Sequence, residues 1–421
     1  MTTTQLSKRC PSCQRKYIEE KGPWCKQCDL PKGWTSGNDE IDDFIKTTQN
    51  KLGDFYEDCF LEWIPFDRLR NLYKIGKGGY GTVYCADWID GKRCWDPSTV
   101  PQTRTRQPCK VALKSLNDGE NYRLFLEEVR SHYDAHNSSI YENPFPMYGI
   151  SRDPSTQEYL IVMPFVENGN LRTYIKNNFR LLDWKFKLYM LYTIAIRLDR
   201  IHNMEMIHRD LHGGNILVII GEDGFGRGEI TDFGLCLPER NVGNGEVYGV
   251  LPYVAPEVLI GKVYSQAADV YAFGIIMCEM TTGEPAFCDR AHDADLAREI
   301  LDGLRPKILE GTPLEYVKLA KRCLDIDPEK RPLIWEIRNF FTNRRTAPPQ
   351  EYREADKLIK NSSPRPTRYP DEIYTSRRLD LTTLNQSDML SIQGESTSGK
   401  KPIFFSDSGQ INLEIPDLLD S

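Results

Sequence analysis

The sequence predicts an α+β domain over residues 67–340, with a small cysteine-rich module before it and a disordered tail after it. Three observations carry that expectation. Strand-like and helix-like patterns alternate through 67–340, a length sufficient for a full core. Two C-x2-C pairs, Cys10/Cys13 and Cys25/Cys28, stand near the start. From about residue 342 apolar periodicity stops, and runs such as NSSPRPTRYP and QSDMLSIQGESTSGKK take over. Such a composition is too polar and too rich in Ser and Thr to offset the entropy of ordering.

Composition narrows the function classes. The 421 residues carry 54 basic and 61 acidic side chains, a formal charge of −7. That balance argues against a protein that coats nucleic acid through its overall field. No apolar run nears the ~20 residues a membrane span needs, and MTTTQLSKRC has no apolar stretch behind its basic residues. The expectation is a soluble cytoplasmic chain with protein partners and no membrane contact. Of the 12 cysteines, a cluster of four in a reducing compartment points to metal, and scattered ones to small buried hydrophobes.

Residues 1–35 form the first region. Cys10, Cys13, Cys25 and Cys28 offer four thiolates from two tight turns, the soft tetrahedral set that Zn²⁺ takes at about 2.3 Å. So short a segment cannot bury enough apolar surface to fold alone, so a structural zinc would supply the folding free energy of a zinc-ribbon-like module. Its seven basic and three acidic residues leave nucleic-acid binding as the weaker expectation, behind a solvated surface facing the acidic segment that follows. Residues 36–66 form that segment, an acidic linker with Ile41, Phe44, Ile45, Leu52, Phe55 and Cys59 at helical spacing. Ser36 or Asn38 suits the N-cap, and Asp39, Glu40, Asp42 and Asp43 favour the positive end of the helix dipole. Gly53 predicts a break. Intramolecular docking of this amphipathic segment on the following domain is expected.

Within 67–340, Gly76-Lys-Gly78-Gly-Tyr-Gly81-Thr-Val83 follows the apolar start of a strand. A lone G-x-G-x-x-G is weak evidence. Here, though, strand character continues into Val83-Tyr84 where a dinucleotide fold would begin a helix. Val111-Ala112-Leu113-Lys114 then reads as a strand ending in a lysine, and a helical pattern from about Asn121 to Tyr133 carries Glu127 and Glu128. A lysine beside phosphates needs a carboxylate to hold it. Glu128 is the first choice and Glu127 the alternative. Further on stand His208-Arg209-Asp210-Leu211-His212-Gly213-Gly214-Asn215, Asp232-Phe233-Gly234 and Ala255-Pro256-Glu257, in that order.

With these motifs, residues 67–340 resemble the eukaryotic protein-kinase superfamily. The resemblance implies a bilobal fold, a small sheet lobe with one helix and a larger helical lobe, with ATP between them. It implies that Lys114 holds the α- and β-phosphates, that Asn215 and Asp232 ligate Mg²⁺ and that Asp210 accepts or orients the substrate hydroxyl's proton. Gly76, Gly78 and Gly81 would cover the phosphates. Val83, Ala112, Met163 and Leu217 would line the adenine slot, with Phe165 and Val166 in the connector between lobes. Pro164 lacks an N–H, so adenine bonds must come from its neighbours or from carbonyls. Asp269 resembles the aspartate that anchors the catalytic loop, and Arg331 the partner of Glu257.

Two departures stand out. Most Ser/Thr kinases place a lysine where this chain has His212 and a threonine where it has Val250. The chain resembles the tyrosine-kinase-like branch, in particular a fungal set with an N-terminal double C-x2-C and an H-R-D-[LF]-H loop. Ser/Thr specificity is the expectation, with a tyrosine or dual-specificity kinase and a pseudokinase scaffold as alternatives. An unperturbed histidine titrates near 6.5, so His212 would mimic the lysine's charge only when protonated. Tyr248 is the expected regulatory phosphosite of the segment before Ala255, and Tyr253 a structural residue.

Overall fold

The structure, a computed structural model, describes residues 30–410 apart from 31, 51–59, 79–80, 97–102, 117–121, 138–146, 222–223, 239–246, 362–370, 380–402 and 407–408. The four cysteines of the expected zinc module lie outside the described residues, as do Leu52, Phe55 and Cys59. The chain divides into two compact units, with the boundary between Phe165 and Val166.

The first unit is built on a six-stranded sheet of order β1-β5-β6-β4-β3-β2. The strands are β1 (Glu62–Trp63), β2 (Leu69–Lys77), β3 (Gly81–Asp96), β4 (Thr103–Leu116), β5 (Gly149–Arg152) and β6 (Tyr159–Pro164). Period-2 alternation decides which side chains form the core. Val111 and Leu113 of β4 pack with Ala86, Trp88, Leu160 and Val162. The opposite face therefore receives Ala112 and Lys114. Antiparallel partners share a face, and the register pairs Val83 with Lys114 and Ala112 with Met163. Val83, Ala112, Lys114 and Met163 thus stand together. At the other edge β1 runs parallel to β5. Gly149 permits that approach, because a Cβ there would lie 2.0 Å from the Glu62 carbonyl oxygen.

Helix α1 (Asp39–Asn50) begins as expected. Asn38 Oδ1 caps it, accepting from Glu40 N–H at 2.9 Å and Ile41 N–H at 3.3 Å. Ile41 and Ile45 are fully buried. Helix α2 (Tyr122–Asn137) follows β4 in the chain and carries Glu128. The Phe44 ring meets Tyr133 of α2 edge-on, centroids 5.9 Å apart, and Tyr122 Oη donates to Glu40 at 3.0 Å.

The second unit is mainly helical: α3 (Leu171–Asn178), α4 (Trp184–Asn203), α5 (Pro256–Leu259), α6 (Gln266–Thr282), α7 (Ala294–Leu301), α8 (Leu314–Cys323), α9 (Ile334–Thr342) and α10 (Gln350–Asn361). Helix α6 is buried continuously from Ala268 to Thr281, and such a helix belongs at the centre of a domain. Cys236, Cys278, Cys288 and Cys323 are buried free thiols, the role expected of scattered cysteines.

The tail departs from expectation. Residues 350–361 form α10, where Tyr352 is fully buried against Trp184, ring centroids 5.2 Å apart. Asp356 Oδ1 accepts from Trp184 N–H at 2.8 Å. Residues 371–374 form a 3-10 turn and residues 377–379 pair with residues 247–249, so the polar composition after residue 341 does not preclude docking on a preformed core. Among the described residues, no helix is long and apolar enough to cross a membrane.

Candidate active site

In the first unit, Lys114 and Glu128 meet as predicted. Nζ donates to Glu128 Oε1 at 2.5 Å, and both side chains are buried. Glu127, one position away on α2, is exposed, which settles the choice between the two. At the turn from β2 to β3, Gly78 N–H donates to the Gly81 carbonyl at 2.8 Å. Among the described residues, a Cβ at Gly76 would meet nothing within 4 Å, and one at Gly78 only that carbonyl at 3.9 Å. Met163 is buried, while Val83, Ala112, Phe165 and Val166 are half-buried. The chain's unit boundary falls at the expected connector, between Phe165 and Val166.

In the second unit the catalytic loop is held from beneath. Asp269 Oδ2 accepts from His208 N–H at 2.8 Å and lies 3.0 Å from His202 Nε2. Its Oδ1 accepts from Arg209 N–H at 2.9 Å. Arg209 and Asp232 both take left-handed backbone, φ 68° and 66°, a conformation that costs a non-glycine residue about 1 kcal/mol or more. Asn215 Nδ2 donates to the Asp210 carbonyl and to Asp210 Oδ2, each at 3.0 Å. Its amide oxygen is left as an acceptor. Leu217 continues in strand β8 (Ile216–Ile220), bridged to Asn170. The donor set fits Mg²⁺, since the Asn215 amide and Asp232 carboxylate are hard oxygen ligands that leave room for phosphates and water.

Burial pushes the Asp210 carboxyl up, but the facing His212 ring and the hydrogen bonds from His212 and Ser376 outweigh it and hold it below its ordinary value. Asp210 is therefore ionised and able to take a proton. His212 is held by its hydrogen bonds. Its Nδ1 accepts from Gly214 N–H at 3.0 Å and faces Arg172 Nη2 at 3.3 Å. These partners assign the proton to Nε2, which lies 3.0 Å from Ser376 Oγ and 3.6 Å from Asp210 Oδ1. The imidazole stands in for the missing lysine as a hydrogen-bond donor. Val250 is buried and brings no polar group.

The expected pairing of Arg331 with Glu257 is formed. Arg331 Nη1 and Nη2 each bond a Glu257 oxygen at 2.7 Å. Tyr253 Oη donates to Glu279 Oε1 at 2.5 Å, a structural role. The Tyr248 carbonyl accepts from Tyr264 Oη at 2.7 Å.

Ser376, Tyr374 and Arg172 were not legible as site residues. Ser376 Oγ donates to Asp210 Oδ2 at 2.6 Å across 166 positions of sequence. The only local signal was Ile373-Tyr374 inside a polar tail.

Known proteins are similar in sequence to this chain over the same stretch. A family model described as protein tyrosine and serine/threonine kinase covers residues 69–341. A protein of Acanthamoeba polyphaga mimivirus named as serine/threonine-protein kinase/receptor R818 is 34% identical over 276 residues, 65% of this chain and 15% of that protein. The Dictyostelium discoideum protein named as serine/threonine-protein kinase drkD is 28% identical over 280 residues, 66% of this chain and 20% of that protein. The chain therefore spans a fifth or less of the length of these relatives. The matched stretch contains Lys114, Glu128, Asp210, Asn215 and Asp232 in the arrangement described, and the chain belongs to the protein tyrosine and serine/threonine kinase family.

Proposed function

We propose that this chain is an ATP- and Mg²⁺-dependent protein kinase that phosphorylates Ser or Thr hydroxyls of proteins in cytoplasmic signalling. The observation that carries this reading is the formed, buried Lys114–Glu128 pair. ATP supplies the γ-phosphoryl group, and phosphoryl transfer asks the protein mainly for positioning and charge neutralisation. Lys114, held by Glu128, would grip the α- and β-phosphates beneath Gly76, Gly78 and Gly81. Val83, Ala112, Met163 and Leu217 would flank the adenine, with bonds from Phe165 and Val166 because Pro164 has no N–H. Asn215 and Asp232 would hold Mg²⁺, and Asp210 would take the hydroxyl proton.

The test is transfer of labelled γ-phosphate by the purified chain and by Asp210→Asn, followed by phosphoamino-acid analysis. Label on Ser or Thr that depends on Asp210 is expected. Phosphotyrosine would move the reading to dual specificity. Absence of label in a chain that still binds Mg·ATP would favour a scaffold, the reading that the His212 and Val250 replacements support.

Membership of the tyrosine-kinase-like branch rests on those same two positions and on the HRDLH loop. The double C-x2-C would hold one structural Zn²⁺, checked by metal analysis of the wild type against Cys10→Ser. Contacts of α1 with α2, Phe44 on Tyr133 and Glu40 on Tyr122, support docking of the N-terminal segment beside the helix that carries Glu128. Tyr248 remains the proposed regulatory phosphosite.

A further inference from the structure

The described tail does more than pack. Strand β13 (Arg377–Arg378) pairs antiparallel with β11 (Tyr248–Gly249), Arg377 opposite Gly249 and Arg378 opposite Tyr248. Leu379 N–H extends the ladder to the Val247 carbonyl at 2.9 Å. Gly249 has φ +134°, and a Cβ there would lie 3.7 Å from Asp210 Oδ1. The paired strand therefore runs directly past the carboxylate. Tyr374, two residues before Ser376, is buried. Its Oη donates to the Ala286 carbonyl at 2.9 Å, the His292 ring meets it edge-on at 4.7 Å, and the Arg172 guanidinium lies 4.7 Å over its face. Arg172 Nη1 also donates to the Tyr374 carbonyl at 3.3 Å. This is strand addition with an aromatic anchor, the way extended peptides are recognised.

The outcome is one hydroxyl in position. Ser376 Oγ gives its hydrogen to Asp210 Oδ2 at 2.6 Å and receives one from His212 Nε2 at 3.0 Å. The first distance is within the range of general-base proton abstraction. Resting on the kinase reading, we propose that residues 371–379 are an intramolecular substrate and that Ser376 is phosphorylated in cis. Ser376 Oγ forms a bond to the γ-phosphorus of ATP as the bond from that phosphorus to the β–γ bridging oxygen breaks. ADP leaves with the electron pair, and the seryl proton passes to Asp210. The product carries nearly two negative charges beside the Asp210 carboxylate, so like-charge repulsion drives the segment off and frees the site.

The experiment uses the full chain. Incubation with Mg·ATP and peptide mapping should place phosphate on Ser376, with a rate constant that does not change on dilution of the protein. Casein added to the wild type reports the kinase reading separately. Tyr374→Ala should lower Ser376 labelling roughly tenfold and speed casein labelling. A nucleotide-free readout accompanies it: the amide hydrogens of Arg377 and Leu379, the two that face the partner strand, should be protected from exchange in the wild type and unprotected in Tyr374→Ala. Casein labelling with Ser376 unmodified overturns the cis-substrate proposal alone. A Ser376 rate that scales with protein concentration also overturns it. No label on either acceptor overturns the kinase reading and the proposal together.

Discussion

Lys187 lies in the first turn of α4, fully buried. Its ammonium sits 4.3 Å over the Phe179 ring and 5.3 Å over the Trp184 ring, and Nζ has no hydrogen-bond partner among the described residues. Burial pushes it down to about 7 from an ordinary 10.5, against the pull of Asp356 and Asp183. A downward displacement of that size corresponds to about 5 kcal/mol of destabilisation where the folded group must be charged. The two aromatic faces return about 2 kcal/mol, which leaves about 3 kcal/mol near pH 7. The sign follows from linkage. The folded state binds fewer protons, so stability is complete above pH 10.5, falls as the pH drops from 10.5 towards 7, and levels off below that. Lys187→Met removes the charge and keeps the volume. Urea unfolding of both proteins should show the variant more stable by about 3 kcal/mol at pH 7, the gap closing to about 1 kcal/mol at pH 10. Other groups titrating in this range cancel in the difference. A gap that does not change with pH, or a less stable variant, would refute the reasoning.

Three further outcomes are expected. Asp269→Ala releases the backbone of His208 and Arg209 and displaces Asp210. Phosphotransfer should fall on the order of a hundredfold in kcat, with little change in nucleotide affinity by calorimetry. Arg331→Met strands Glu257 as a buried charge, and denaturant unfolding should show a loss of about 3–5 kcal/mol. His212→Ala removes the ring that holds the Asp210 carboxyl down. The acid limb of the pH–rate profile should move to higher pH, so activity is lost first at the acid end; an unmoved limb would exclude the ring from that role.

Much of the site was legible because its chemistry is written in short, ordered motifs. Lys114 follows from a period-2 strand, and Asp210, Asn215 and Asp232 from loops whose residue types phosphoryl transfer demands. The choice between Glu127 and Glu128 was not legible, since adjacent helix positions are about 100° apart and only packing says which one turns inward. Lys187 breaks the rule that charged side chains stay exposed, and nothing in its neighbourhood of sequence marks it. The start of the tail departs from expectation because, among the described residues of α10, only Tyr352 and Ala355 are buried, too few to stand out as a periodic pattern. Ser376 depends on a contact across 166 positions, which local pattern cannot reveal.

The pairing of β13 with β11 has a consequence in time. Helix α10 is fastened at Trp184 and β13 at β11, so Ser376, next to β13, is held by the chain itself. A tethered acceptor stands at an effective concentration on the order of millimolar, above what most foreign peptides reach. A freshly unmodified molecule would therefore turn over on itself before it turned over anything else. Its progress curve on an added peptide would open with a lag set by that single internal event. Molecules already phosphorylated would show none, so the lag becomes a record of the protein's history.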